Sequence, residues 1–96
     1  QDEFDNEQED ILQVGKGMYL CDARVGIEDL NEKISLEIPQ DEYDTLGGFV
    51  FGLFGKIPAK YEKVGYNNLD FVIQSMEGHK IQTVKIIIHE QTNQDT

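Results

Sequence analysis

Three side chains in this sequence have the chemistry of a nucleophile or a proton shuttle: Cys21, His79 and His89. Cys21 sits inside the apolar run Met18 to Cys21, which reads as a strand with a buried structural thiol rather than a reactive one. His79 follows a turn glycine and His89 ends a strand, so both read as solvated. No Ser-His-Asp or Cys-His pairing stands at a recognisable spacing, and the chain is therefore not expected to be an enzyme, with no catalytic residue assigned.

A second chemistry belongs to hard oxygen ligands. Asp41, Glu42 and Asp44, with Asp22 or Asp29, are candidates for Mg²⁺ or Ca²⁺, but the EF-hand spacing is absent and acids before a helix serve equally as caps and dipole partners. No metal site is assigned, and a weak divalent-cation sensor stays as an alternative. The third chemistry is a phosphate cradle. Gly15-Lys16-Gly17 offers two glycines and a lysine but neither the dinucleotide nor the Walker spacing, so it reads as a tight turn. No cofactor is expected; binding of flavin adenine dinucleotide or an adenine nucleotide is kept as an alternative.

The elements that position these groups follow from periodicity. Ile11 to Val14 and Met18 to Cys21 read as a hairpin closed by the glycine turn. From Gly26 as N-cap, Ile27, Leu30 and Ile34 fall on one helical face, with Glu28 and Asp29 at its positive end. A second helix starts at Asp44 or Thr45 and stops at Gly55, with Pro58 beyond it. Leu46, Phe49, Val50, Leu53 and Phe54 form the arc that should face a sheet, with Ile57 capping it. Gly48 and Gly52 share another side of that helix, where a shallow groove would admit a second backbone. Lys63 to Tyr66, Leu69 to Met76 and Lys80 to His89 then read as strands, with turns at Asn67-Asn68 and Glu77-Gly78 and a bulge between Ile81 and Val84.

Charge and length restrict the partners. Nineteen acidic residues against eight basic ones give a net charge of −11, which argues against nucleic acid and against an anionic membrane surface. Asp2, Glu3, Asp5, Glu7, Glu9 and Asp10 crowd the first ten residues, which read as an acidic linker. The longest apolar stretch is about half of the ~20 residues that a bilayer-spanning helix needs. With Cys21 alone no internal disulfide forms and a reducing compartment is expected; no secretory leader is recognisable, and Gln1 reads as a cut within a longer protein.

The order of these pieces, DARVGIEDLNEKISLEIPQDEYDTLGGFVFGLFGKIP followed by a turn-rich β segment ending MEGHKIQTVKIII, resembles the CorC/HlyC transporter-associated domain over residues 11–89. The residues that carry it most specifically are Asp44-Thr45-Leu46 with Gly48, then Gly55 and Ile57-Pro58. Asp22, Leu30-Asn31, and Gly78 with Ile81 and Val84 support it. Asp2-Glu3-Phe4-Asp5 resembles the acidic stretch that follows a pair of CBS domains in such proteins. The chain departs from the family at Ala23 and Tyr61, where glycine is frequent, at Val25-Gly26, which replaces a better helix cap, and at Gly52-Leu53, often charged.

The resemblance implies an α+β fold: two helices on one mostly antiparallel sheet of about four to five strands, similar to part of the FAD-binding domains of some flavin oxidoreductases. It divides the chain into the acidic linker 1–10, the domain 11–89 and a polar tail 90–96. It implies a regulatory or interaction module of a magnesium and cobalt efflux or hemolysin-like protein, docking to the CBS pair or membrane region of its parent. A homodimer is a further expected partner. The module would lie on the cytoplasmic side of the membrane, or in the cytoplasm where the parent lacks a membrane region, with no insertion of its own. Phe51, Gly52 and Ile87, which point off the core faces, are the expected interaction residues, with Phe4 in the tail.

Overall fold

A computed structural model describes residues 10–89; the acidic segment before Asp10, with Phe4, and the tail from residue 90 lie outside the described residues. Alternating apolar residues make five strands: β1 (Ile11–Gly15), β2 (Met18–Asp22), β3 (Lys63–Tyr66), β4 (Leu69–Glu77) and β5 (Lys80–Ile88). Two helices, α1 (Ile27–Ile34) and α2 (Leu46–Phe54), lie between β2 and β3 in the chain. The sheet runs β1-β2-β5-β4-β3 with every neighbouring pair antiparallel, so the expected α+β architecture is present with five strands.

The core is one face of that sheet against both helices. Cys21, Leu69, Phe71, Ile73, Val84 and Ile86 from the strands meet Ile27, Leu30, Leu46, Phe49 and Val50 from the helices, all buried. Phe49 is the hub: its ring stands edge-on to Phe71 at 5.9 Å and to Tyr66 at 5.2 Å. Such pairs add roughly 0.5–1.5 kcal/mol each beyond the area they bury.

Helix boundaries follow local chemistry. α2 begins because Thr45 is extended and its hydroxyl accepts the Gly48 N–H at 3.2 Å, and it ends because Gly55 takes φ 71, a left-handed conformation that glycine adopts at no steric cost. α1 starts at Gly26 with no side-chain cap, in keeping with the Val25-Gly26 departure. Its far end is held instead by Asn31. That residue's carbonyl accepts Leu36 N–H, while its amide donates to the Ile38 carbonyl at 2.9 Å and accepts Ile38 N–H at 3.0 Å. One side chain thereby pairs the loop as a strand would, and Ile38 is driven into the core.

The bulge expected between Ile81 and Val84 lies where the β4–β5 register slips. Ile73 faces Val84 and Ser75 faces Thr83, but Met76 faces Ile81, which leaves Gln74 and Gln82 as the unpaired residues. The slip turns the Gln82 carbonyl toward the loop after β2, where it accepts the Ala23 N–H at 3.0 Å. Ile57 does not cap the apolar arc of α2: it is 48% exposed, and the buried residue of that exit is Pro58.

Candidate functional site

Three segments distant in sequence meet at one end of the sheet and enclose an open groove of about 610 Å³. The end of β2 and the loop after it supply Asp22, Ala23 and Arg24; the cap and first turns of α2 supply Thr45, Gly47, Gly48 and Phe51; the end of β4, the turn and the start of β5 supply Glu77 and His79 to Gln82.

The loop is rigid because Asp22 folds it. The Asp22 carboxylate accepts the Arg24 backbone N–H at 2.8 Å and the Arg24 guanidinium through Nε at 3.1 Å and Nη2 at 3.0 Å. The Asp22 side chain is held below the ordinary carboxylate range chiefly by its hydrogen bond to the Arg24 side chain, with the Arg24 N–H and charge acting in the same direction. Arg24 thus places its guanidinium against Asp22, exposed on the groove rim.

The helix start is equally committed. Leu46 N–H donates to the Val25 carbonyl at 3.0 Å, Gly47 N–H to the Ala23 carbonyl at 2.8 Å, and Gly48 N–H to Thr45 Oγ1. The first three amides of α2 therefore have protein partners and are not presented to a phosphate. Gly47 is required for this approach, since a Cβ there would lie 2.9 Å from the Ala23 Cβ and 3.1 Å from its carbonyl oxygen. Ile27 N–H donates to the Asp44 carbonyl at 2.9 Å, so the two helix starts are bridged through Gly26 and Thr45.

Phe51 stands in this groove 43% exposed, while its neighbours Phe49 and Val50 are buried. The sequence-predicted residues Asp22, Thr45, Gly48 and Phe51 are thus brought together. Gly78 lies at φ 64 in the adjoining turn; Leu30 and Leu46 are core; Gly55 and Pro58 close α2. Ile87 lies elsewhere, on the sheet face away from the helices, half-buried opposite Met18.

The expected groove beside Gly48 and Gly52 is filled by the chain itself. A Cβ on Gly52 would stand 2.7 Å from Tyr43 Cζ, and one on Gly48 would stand 3.4 Å from Tyr43 Cδ1. The Tyr43 ring lies along both glycines and continues edge-on to Phe49 at 6.3 Å. Gly52 is therefore the seat of an aromatic ring from the preceding loop rather than an opening for a second backbone.

The groups with catalytic chemistry do not converge on a nucleophile. Cys21 is buried, and burial pushes its thiol up to about 12. His89 Nε2 lies 2.8 Å from Asp70 Oδ2, near the β3–β4 turn. The acidic candidates also part: Asp44 shares a hollow of about 200 Å³ with Glu28, Asp29 and Tyr43, whereas Asp41 and Glu42 are exposed outside it. Among the described residues no three His, Cys, Asp or Glu side chains gather as a metal site would need. Gly15-Lys16-Gly17 is the β1–β2 turn, with Gly17 at φ 67 and its carbonyl accepting the Ile88 N–H at 2.7 Å.

Sequence reasoning missed Tyr43, Arg24 and Lys80. Tyr43 had a signal, glycines five and nine residues downstream, and Arg24 had another, its two-residue spacing from Asp22. Lys80 had none, because its place in the groove depends on β5 lying beside β2.

With that geometry established, comparison with known proteins is specific. Residues 12–90 match the family model described as the transporter associated domain, CorC_HlyC. The chain is 40% identical to Hemolysin C of Brachyspira hyodysenteriae over 86 residues, covering 88% of this chain and 32% of that protein. It is 30% identical over 95 residues to the magnesium and cobalt efflux protein CorC of Escherichia coli K12, covering 98% of this chain and 32% of that one. The crystal structure of a putative Mg²⁺ and Co²⁺ transporter (CorC) associated region from Neisseria meningitidis superposes with a TM-score of 0.77 at 28% identity, over 83% of this chain and 99% of that one. The chain spans about a third of the length of the curated relatives it matches. Among the described residues no helix is long and apolar enough to cross a membrane.

Proposed function

Since the chain belongs to the CorC/HlyC transporter-associated domain family, we propose that it is a non-enzymatic docking module that modulates divalent-cation transport by a longer parent. The observation that carries this reading is Phe51, left 43% exposed in a groove whose loop, helix start and turn are otherwise fixed by their own hydrogen bonds. An apolar anchor within a rigid, charged rim suits a peptide segment, because the site loses little conformational entropy on binding.

The occupant is a segment of the parent's CBS pair or membrane region, which places an apolar side chain on Phe51 and meets Arg24 and Lys80 at the rim. Seating and release of that segment bias the conformation of the transport region from the cytoplasmic side, with no cofactor and no chemical step. Magnesium or cobalt is the cargo indicated by the names of the relatives.

The test compares metal-ion efflux by the intact parent, the parent lacking this domain, and Phe51→Asp. Deletion and Phe51→Asp should alter efflux in the same direction, with the variant's domain still folded by circular dichroism. Unchanged efflux on deletion would overturn the regulatory role; altered efflux on deletion but none in Phe51→Asp would place docking on another surface.

A further inference from the structure

Both helices pack on one face of the sheet, and among the described residues no element packs on the other. Two rows of side chains cross that outer face in register. One runs Leu12, Leu20, Lys85, Val72 and Lys63 through all five strands; the next runs Met18, Ile87, Asp70 and Gly65. Alternation against the buried Cys21, Phe71 and Val84 sets both rows away from the helices. Leu12 is 49% exposed, and Leu20, Met18, Val72 and Ile87 are only half-buried.

The charge at the centre of this face is positive. Lys85 stands on β5, the middle strand, between Leu20 and Val72. Asp70, the carboxylate of the next row, is engaged by His89 Nε2 at 2.8 Å and by Lys63 Nζ at 3.9 Å. Apolar side chains around a lysine, in a chain of net charge −11, suit an acidic segment that carries an aromatic residue.

Residues 1–9 have that composition. Asp2, Glu3, Asp5, Glu7 and Glu9 come without a basic residue, and Phe4 is the one apolar side chain among them. Residues 90–96 offer no hydrophobic residue, and a second copy laid on this face would bring its own Lys85 and Lys63. The point of attachment also fits. The Asp10 carbonyl accepts the Asp22 N–H at 2.9 Å, so the segment joins the sheet at its β1 edge. From that edge Lys85 lies two strands in, about 10 Å at ~4.8 Å per strand, while the six residues from Asp10 back to Phe4 reach about 20 Å when extended.

We propose that residues 1–9 lie across the outer face of the sheet, with Phe4 seated on Leu20 and Ile87 and the carboxylates gathered about Lys85 and Lys63. The acidic segment is then a strap on the domain rather than a free linker. This face lies opposite the helices, and the inference does not rest on docking at Phe51.

The chain contains no tryptophan, so Phe4→Trp in the full 96-residue chain places a single indole in the strap. Its emission should be shifted to the blue of free tryptophan amide and its quenching by acrylamide reduced roughly twofold or more, less so in about 1 M salt, where charges are screened beyond ~3 Å. Adding Lys85→Glu should expose the indole while the circular dichroism spectrum is retained. Reversing the strap itself, with Asp5→Lys and Glu7→Lys together, should do the same without altering the sheet. Phe51→Asp should leave the shielding unchanged. An indole as exposed as the free amide, or shielding indifferent to both charge reversals, would overturn the assignment. Shielding lost in Phe51→Asp would move the strap to the groove, and shielding that grows with protein concentration would give the face to a second copy; either result also overturns it. None of these outcomes bears on whether Phe51→Asp alters efflux.

Discussion

Tyr43 and Gly52 provide the sharpest quantitative test of the packing. In isolation, Gly52→Ala should stabilise α2, since alanine is favoured over glycine in a helix by up to about 1 kcal/mol. In the folded chain the new methyl would sit 2.7 Å from Tyr43 Cζ, so the ring must leave. Its departure forfeits the edge-on contact with Phe49, worth about 0.5–1.5 kcal/mol. It also exposes a few tens of Å² of apolar surface, worth on the order of 1 kcal/mol at ~25 cal/mol per Å². Gly52→Ala alone should therefore destabilise the domain by about 1 kcal/mol, whereas in a Tyr43→Ala background the same change should stabilise it by up to about 1 kcal/mol. The coupling between the two positions is then about 2 kcal/mol. Urea unfolding of the four proteins, followed by far-ultraviolet circular dichroism, measures it, provided the denaturant slope is constant across the set. Coupling below ~0.5 kcal/mol, the range of independent sites, would refute the account of Gly52 as the seat of the ring.

Tyr61→Gly should raise stability by about 0.5 kcal/mol. It relieves a left-handed conformation at φ 72 that costs an ordinary residue roughly 1–2 kcal/mol, less glycine's unfolded-state entropy of about 0.5–1 kcal/mol, and the lost ring is 66% exposed; a thermal melt should rise by roughly 2–4 °C. Asp22 has a folded pKa below its ordinary value, so its contribution to stability is present at neutral pH and is lost as pH falls through the ordinary carboxylate range towards the folded value. Asp22→Asn should accordingly be less stable than the parent sequence at neutral pH, with the gap closing below about pH 4 in acid titrations of the unfolding midpoint. Cys21 works in the opposite direction: the unfolded thiol ionises near pH 9 while the folded one keeps its proton up to about 12, so stability falls as pH rises through that window. Subtracting the alkaline profile of Cys21→Ala should isolate that loss, and alkylation of native Cys21 at neutral pH should proceed only at the rate of unfolding.

The parts legible in the sequence were those decided by neighbouring residues. Thr45 and Gly55 announced both ends of α2 because a cap and a left-handed stop act within one turn. The hairpins could be placed because Gly17, Asn67 and Gly78 supply the positive φ that tight turns require. The slip near Gln82 was visible as a break in alternation between Ile81 and Val84. The groove was less accessible to that reasoning, because it exists only once β5 has paired with β2 and set Cys21 opposite Val84. Asp22, Thr45, Gly48 and Phe51 were each identifiable, but their proximity was not. The glycine face of α2 was misjudged for a related reason. Helical periodicity shows which side of a helix is smooth, but not that a loop residue, Tyr43, lies down on it.

The short bridge at the helix starts has a mechanical consequence. Ala23, Val25 and Asp44 give their carbonyls to Gly47, Leu46 and Ile27, so the first turns of both helices are tied across a gap of nearly twenty residues of chain. Neither helix can tilt from the sheet without breaking those bonds or carrying the other along. A force applied to Phe51 would therefore be felt at Asn31 and Ile38 on the far side of the helical layer, and amides of 27–34 and 46–54 should exchange with solvent as one cooperative unit.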